Sequence, residues 1–392
     1  MKDFRVSIIT QDFYPMHGGI ASYIMQIYNK YLSNVNVNII IPEDVGKGVD
    51  YSDFNFSVNT AKFNPFVSHN DRLVENEEIL KLLTLSKPDI ILFGYLRSHP
   101  EVGLRYKVDH PECKLGILTH AKEVIIDESV TELSHNDAGT HKGYLKSEID
   151  FYKMILNKFD YVFSVSNYTA ELLKSQGIKN RINILYPSLD ISGSVEICPK
   201  ENIGFSKDDM LLLSVGRLTA RKGQSKVIEA INNLKPDFPN LKYLIVGNGP
   251  ERTYLENMIK SRKLSDRIVI LDDVSDRIIS KYYAACDIFV LPNTFIPPND
   301  VEGFGIVFLE ANLYGKPVIA GKSGGVIEAV QHKKTGLLIN PDDSSELEQS
   351  IVTLINNPNL RTQLGEYGRN RVLKEFNSTP SNKLLKLFTE GI

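Results

Sequence analysis

Short runs of Val, Ile and Leu recur along the chain, nearly all of them followed by a helical pattern. In the first half they fall at 6–9, 37–41, 90–93, 116–119, 161–165 and 182–186, and in the second at 211–215, 243–246, 268–271, 288–291, 317–320 and 336–339. A strand with one wet face alternates apolar and polar residues. Most of these runs do not alternate, so they are expected to be buried on both faces, as parallel strands covered by helices are. Strands alternating with helices imply right-handed βαβ units and doubly wound sheets. A chain of 392 residues is too long for one ordinary core. Two such α/β sheets are therefore expected, with the break near Pro187-Ser188-Leu189-Asp190. That gives a first domain over 1–190, a second over 191–378, and a detached short helix over 379–392. Segments 77–87 and 146–159 are amphipathic and are expected to pack on the first sheet.

Charge and cysteine usage narrow the partners. The net charge of −3 argues against nucleic acid, whose phosphate backbone rewards a basic surface. Residues 1–190 carry 20 Lys and Arg against 24 Asp and Glu, a net of −4, so that half has no overall pull toward anionic lipid, although a local patch would allow peripheral membrane contact. Cys113, Cys198 and Cys286 are far apart, as buried thiols of a reducing compartment would be. The first residues lack the apolar core of a signal peptide, and no apolar run approaches the roughly 18 residues of a membrane span. The expected setting is cytoplasmic, with contact at the inner face of a membrane left open.

Open α/β sheets bind ligands at the carboxyl ends of their strands, so the residues just after each run carry the functional reading. The run 302–310, Glu-Gly-Phe-Gly-Ile-Val-Phe-Leu-Glu, is the most informative. It opens a helix near Phe304 and Gly305, where unpaired N–H groups and a positive dipole end favour phosphate. Glu302 lies just before that helix and Glu310 about two turns along it. Carboxylates repel phosphate and accept from hydroxyls, so phosphate flanked by hydroxyl-rich groups describes a sugar nucleotide.

Other strand ends supply cations and glycines. Gly216-Arg217 and Lys222-Gly223 put a guanidinium fork and an ammonium on one connection, which suits a pyrophosphate. A Lys/Arg cluster is more often a solvated loop; its position at a strand end favours the site. Arg221, their neighbour, is ambiguous between the site and a solvated surface. Gly18-Gly19 after the first strand would let backbone approach a ligand, or would simply make a turn. His120 ends another strand; a lone His is usually structural, and here its position makes it a candidate. Tyr95, Arg97 and Lys122 occupy first-half strand ends and could touch an acceptor, and the long polar loop 125–141 could cover that side. Ser323-Gly324-Gly325 could add further N–H groups for a phosphate. Asp-x-Asp, the usual carboxylate pair for a metal-bound diphosphate, does not occur, so neither a metal nor another cofactor is expected.

Taken in order, Gly18-Gly19, His120, Gly216-Arg217 with Lys222-Gly223, Glu302 and Glu310 with seven residues between them, and Ser323-Gly324-Gly325 with Glu328 resemble family 4 of the retaining glycosyltransferases, across essentially the whole chain. The resemblance implies the GT-B fold, two Rossmann-like domains facing a cleft, with the acceptor on the first, the nucleotide sugar on the second and the last helix packed back on the first. It implies that Arg217 and Lys222 clamp the diphosphate, Glu310 holds the ribose, and Glu302 contacts donor-sugar hydroxyls. Phe304, Gly305 and Ile306 would present N–H groups, His120 would lie beside the anomeric centre, and the base would sit near Asp273 and Val274. The implied activity is metal-independent transfer of a sugar, with retention, from a nucleotide diphosphate sugar to a hydroxyl acceptor on a glycan or glycolipid in cell-surface assembly. A sugar-nucleotide 2-epimerase, or a non-catalytic partner subunit that binds sugar nucleotide, would share the fold. The family's common Asn-Gly turn at the domain junction is replaced by the segment ending at Asp190.

Overall fold

The computed structural model describes residues 4–16, 18–63, 69–121, 146–191, 197–272, 274–297 and 300–390. By their contacts they form two units, one running to Asp190 and resuming at Ser378, the other spanning Ile191–Asn377.

The first unit is built on β1 (Arg5–Ile9), β2 (Asn36–Pro42), β3 (Ser57–Ala61), β4 (Ile90–Phe93), β5 (Lys114–Thr119), β6 (Tyr161–Ser164) and β7 (Ile182–Ile184). They make one sheet in the order β3-β2-β1-β4-β5-β6-β7, and every pairing is parallel. Burial on both faces is visible residue by residue. Ile9, Ile91 and Phe93 enter one apolar cluster, while Val6, Ile8, Ile90 and Leu92 point into the other. The continuous apolar runs are thus explained by helices on both sides of the sheet.

β3 has no counterpart among the apolar runs. Its sequence, Ser-Val-Asn-Thr-Ala, is polar and largely solvated because it pairs only with β2, at the edge of the sheet. Edge position removes the need for a hydrophobic second face, and with it the sequence signal.

The helix Lys383–Glu390 belongs to this unit. Leu384, Leu385 and Phe388 are buried with Val6 and Ile8, and Tyr161 donates its hydroxyl to the Leu387 carbonyl at 3.0 Å. Each of those side chains is worth roughly 1.5–3 kcal/mol when fully buried.

The second unit carries β8 (Met210–Val215), β9 (Leu241–Val246), β10 (Ile268–Leu271), β11 (Ile288–Leu291), β12 (Val318–Gly321) and β13 (Gly336–Ile339), in the order β10-β9-β8-β11-β12-β13 and all parallel. The Gln224–Leu234 helix shows why it folds against this sheet: Gln224, Val227, Ile228, Ile231 and Leu234 recur at helical spacing and are all buried. Both sheets reverse strand order beside their first strand, between β1 and β4 and between β8 and β11.

Candidate active site

In the second unit the loops after β8 and β11 leave the sheet at the point where strand order reverses, the place where doubly wound sheets hold ligands. The chemistry is concentrated there. Glu302 Oε2 accepts from Lys222 Nζ at 2.6 Å, from Arg221 Nη1 at 2.6 Å and from Asn293 Nδ2 at 2.8 Å. Arg221 Nε donates to Asp300 Oδ1 at 3.0 Å. All three donors converge on one oxygen of Glu302, leaving Oε1 outside those bonds. The side chains are largely shielded, at 11% exposure for Lys222 and 15% for both Arg221 and Glu302. Burial opposes the charge on Glu302, but the Arg221 and Lys222 cations outweigh it and hold the carboxyl well below the usual carboxylate range. Burial pulls Lys222 down, and Glu302 offsets part of that.

The backbone fixes this carboxylate in place. Gly305, which precedes the Ile306–Leu313 helix, has φ +92°, and a Cβ there would lie 2.6 Å from the Phe308 ring. The Glu302 carbonyl accepts from Gly325 N at 2.9 Å. Gly324 has φ +59°, and a Cβ on it would come within 2.3 Å of that same carbonyl. The Ser323 and Gly325 N–H groups are thus donated inside the protein, to Gly321 and Glu302. This turn braces Glu302; the sequence reading had offered those N–H groups to a phosphate.

Glu310 sits farther along the same helix, where Tyr283 donates its hydroxyl to Oε2 at 2.6 Å. Tyr283 is itself buried and stacked on Tyr314, so the carboxylate is held from below. Phe304 is buried, with its ring 5.7 Å from that of Phe376, while Ile306 and Val274 are half-buried. Asp273 lies outside the described residues.

The two cations of the β8 loop behave differently from a simple pair. Lys222 is buried and turned onto Glu302, whereas Arg217 is exposed, with its carbonyl accepting from Gln224 Nε2 at 3.3 Å. Arg221 is the ion-paired guanidinium. Sequence gave no means of separating Arg217 from Arg221, because the 3-10 turn Ala220–Lys222 that directs Arg221 inward is only one turn long. Asn293, Asp300 and Tyr283 were also missed: none has a signal apart from its neighbours in space.

In the first unit the candidates gather at the ends of β1, β4 and β5. Gly18 and Gly19 open the Gly19–Ile27 helix, both exposed, and an added Cβ would meet nothing within 4 Å of either. Neither glycine is demanded by internal packing. His120 Nε2 lies 3.2 Å from the Gly94 carbonyl, and its ring meets Tyr23 of that helix edge-on at 5.6 Å. Burial pushes the imidazole down to about 4, the Gly94 bond pulling weakly the other way, so it is neutral at pH 7 and donates through Nε2. Tyr95 bonds Gln11, whose Nε2 donates to the Arg97 carbonyl at 2.8 Å. Lys122 and the loop 125–141 lie outside the described residues.

Among the described residues no helix is long and apolar enough to cross a membrane, and no group of three or more His, Cys, Asp or Glu is placed to share a metal ion.

Comparison with known proteins places these features in context. Residues 199–371 match the family of glycosyl transferases group 1. The chain is 30% identical over 376 residues, 93% of each chain, to the GDP-mannose-dependent alpha-(1-6)-phosphatidylinositol monomannoside mannosyltransferase of Mycolicibacterium smegmatis. It is 25% identical over 385 residues, 95% of this chain and 94% of the relative, to the enzyme of the same name from Mycobacterium tuberculosis. Among solved structures, sucrose-phosphate synthase from Thermosynechococcus elongatus superposes with a TM-score of 0.78 at 20% identity, covering 95% of each chain. Anabaena Alr3699/HepE, crystallised with UDP and glucose, gives 0.77 at 20% identity, covering 99% of this chain and 100% of that one. The shared architecture, two Rossmann-like parallel-sheet units, is the GT-B fold.

Proposed function

The chain belongs to the group 1 glycosyl transferases, and from that premise we propose that it moves a sugar, with retention and without a divalent metal, from a nucleotide diphosphate sugar to a hydroxyl of a glycolipid or glycan. The observation that carries this reading is Glu302, held by Lys222, Arg221 and Asn293 just ahead of a glycine-initiated helix that carries Glu310. Lys222, Arg217 and the N–H groups at Gly305 and Ile306 would take the diphosphate, Glu302 a sugar hydroxyl and Glu310 the ribose, with the base near Val274.

The costly event is departure of the diphosphate, as negative charge grows on its oxygens. Preorganised cations and amide dipoles stabilise that charge without reorganising. Glu302, whose Oε2 is already held by three donors, is poorly suited to attack the anomeric carbon. Retention then calls for attack on the same face, with a departing phosphate oxygen taking the acceptor proton. His120, neutral at pH 7, would position and polarise the donor sugar rather than act as a base. Tyr95, Arg97 and Lys122 would face the acceptor, and the N–H groups of the exposed Gly18-Gly19 turn would serve the anionic donor.

The M. smegmatis relative is named as GDP-mannose-dependent, with a phosphatidylinositol monomannoside acceptor. That supports a glycolipid acceptor, and GDP-mannose is the first donor to test. The experiment is a screen of GDP-, UDP- and ADP-sugars with glycolipid acceptors, with and without EDTA. Turnover that survives the chelator and gives an axial-to-axial product supports the reading. Conversion of the donor in the absence of acceptor would favour an epimerase, and abolition by EDTA would overturn the metal-free clamp.

A further inference from the structure

Lys222 has two claims on it. It is paired to Glu302 here, and under the reading above it must turn to the diphosphate. If it were Glu302's sole counter-charge, binding the donor would strip the carboxylate of its partner as the sugar arrives. Arg221 removes that conflict. Its guanidinium spans two carboxylates, with Nε on Asp300 at 3.0 Å and Nη1 on Glu302 at 2.6 Å. Both ends of Arg221 are fixed, since its carbonyl accepts from Thr294 N at 2.9 Å. Asp300 is fixed in turn, by reciprocal backbone bonds of 2.9 Å with Ile296. A planar fork held at both ends keeps its geometry when a neighbouring ammonium rotates away.

We propose that Arg221 is a positioning residue: anchored by Asp300, it holds Glu302 ionised and aimed at a donor-sugar hydroxyl through Oε1, so that Lys222 is released to the diphosphate. This rests on the proposed function and assigns Arg221 to the sugar rather than to the phosphates. Two cations and two carboxylates balance without substrate. The groups facing Glu302 are Arg221, Lys222 and neutral Asn293, with Asp300 behind Arg221.

The test compares Arg221→Gln, Arg221→Lys and Asp300→Asn with wild type, using free GDP, UDP and ADP alongside the nucleotide sugar that wild type turns over. For Arg221→Gln, calorimetric Kd for the free nucleoside diphosphate should stay within about twofold, while kcat/KM for the nucleotide sugar falls roughly 10- to 100-fold, the loss of one charge-assisted bond. The acid limb of kcat/KM should move to higher pH as Glu302 loses a counter-charge. Arg221→Lys should recover part of the loss. Asp300→Asn should move in the same direction by less, and it keeps the test if Arg221→Gln does not fold. Equal weakening of free nucleoside diphosphate and nucleotide sugar would make Arg221 a phosphate ligand and overturn the inference alone, as would an unmoved pH profile with full activity. A wild type that binds none of GDP, UDP and ADP would overturn the function and this inference with it.

Discussion

The Tyr283 hydroxyl donates to Glu310 Oε2 at 2.6 Å from a fully packed position beneath the Ile306–Leu313 helix. Burial, then the Glu310 charge, raise the phenol well above its ordinary value, so the proton stays on Tyr283 and the carboxylate stays an acceptor. Glu310→Ala is expected to weaken free nucleoside diphosphate roughly 10- to 100-fold, the span of a hydrogen bond to a charged group. Tyr283→Phe should weaken it less, by loosening the carboxylate. Calorimetry with GDP and UDP measures both, and unchanged affinity in Glu310→Ala removes the ribose role.

Lys222→Ala should retain the fold, because Arg221 and Asn293 remain on Glu302. Turnover should fall roughly 10²- to 10³-fold, the usual loss for one preorganised donor to a developing anion. Single-turnover rates with a matched thermal transition check it. Wild-type-like turnover would remove Lys222 from the clamp.

His120 makes a prediction with a definite sign. Its folded value, about 4, lies below the ordinary histidine value of about 6.5. Between those two pH values the unfolded chain binds a proton that the folded chain does not. Stability is therefore full above about 6.5 and declines as pH falls toward 4. Denaturation midpoints over that window should fall more steeply for wild type than for His120→Gln. Turnover should show no histidine limb from His120 near pH 6.5. A His120-dependent limb there would mean the imidazole titrates in the working enzyme.

Gly305→Ala tests the helix start. The φ of +92° costs a residue with a Cβ roughly 1–3 kcal/mol, before the Phe308 ring has to move from 2.6 Å. A lower thermal midpoint and weaker nucleotide-sugar binding are expected together. A variant with both unchanged would show that the local backbone is not what sets Glu302.

The parallel sheets were legible because strands such as β4 and β11, Ile-Ile-Leu-Phe and Ile-Phe-Val-Leu, must be apolar on both faces. β3 was not, because its edge position needs no such face. Glu302, Glu310 and Lys222 stood out by spacing at strand ends. The reversal of strand order that gathers the β8 and β11 loops is a matter of topology, which no local pattern encodes. For the same reason Arg221 looked interchangeable with Arg217: its partners Asp300 and Glu302, 79 and 81 positions away, distinguish them. Ser323-Gly324-Gly325 shows how alike glycine turns look: its Ser323 and Gly325 N–H groups bond within the protein, the second to the Glu302 carbonyl.

The segment that completes the first unit's apolar cluster, Leu384, Leu385 and Phe388, emerges from the ribosome only after the whole second unit. Val6 and Ile8 must therefore wait, partly uncovered, while nearly two hundred later residues are synthesised. A nascent or nicked protein lacking that helix would present a greasy seam to chaperones, so maturation of the amino-terminal half waits on synthesis of the second unit.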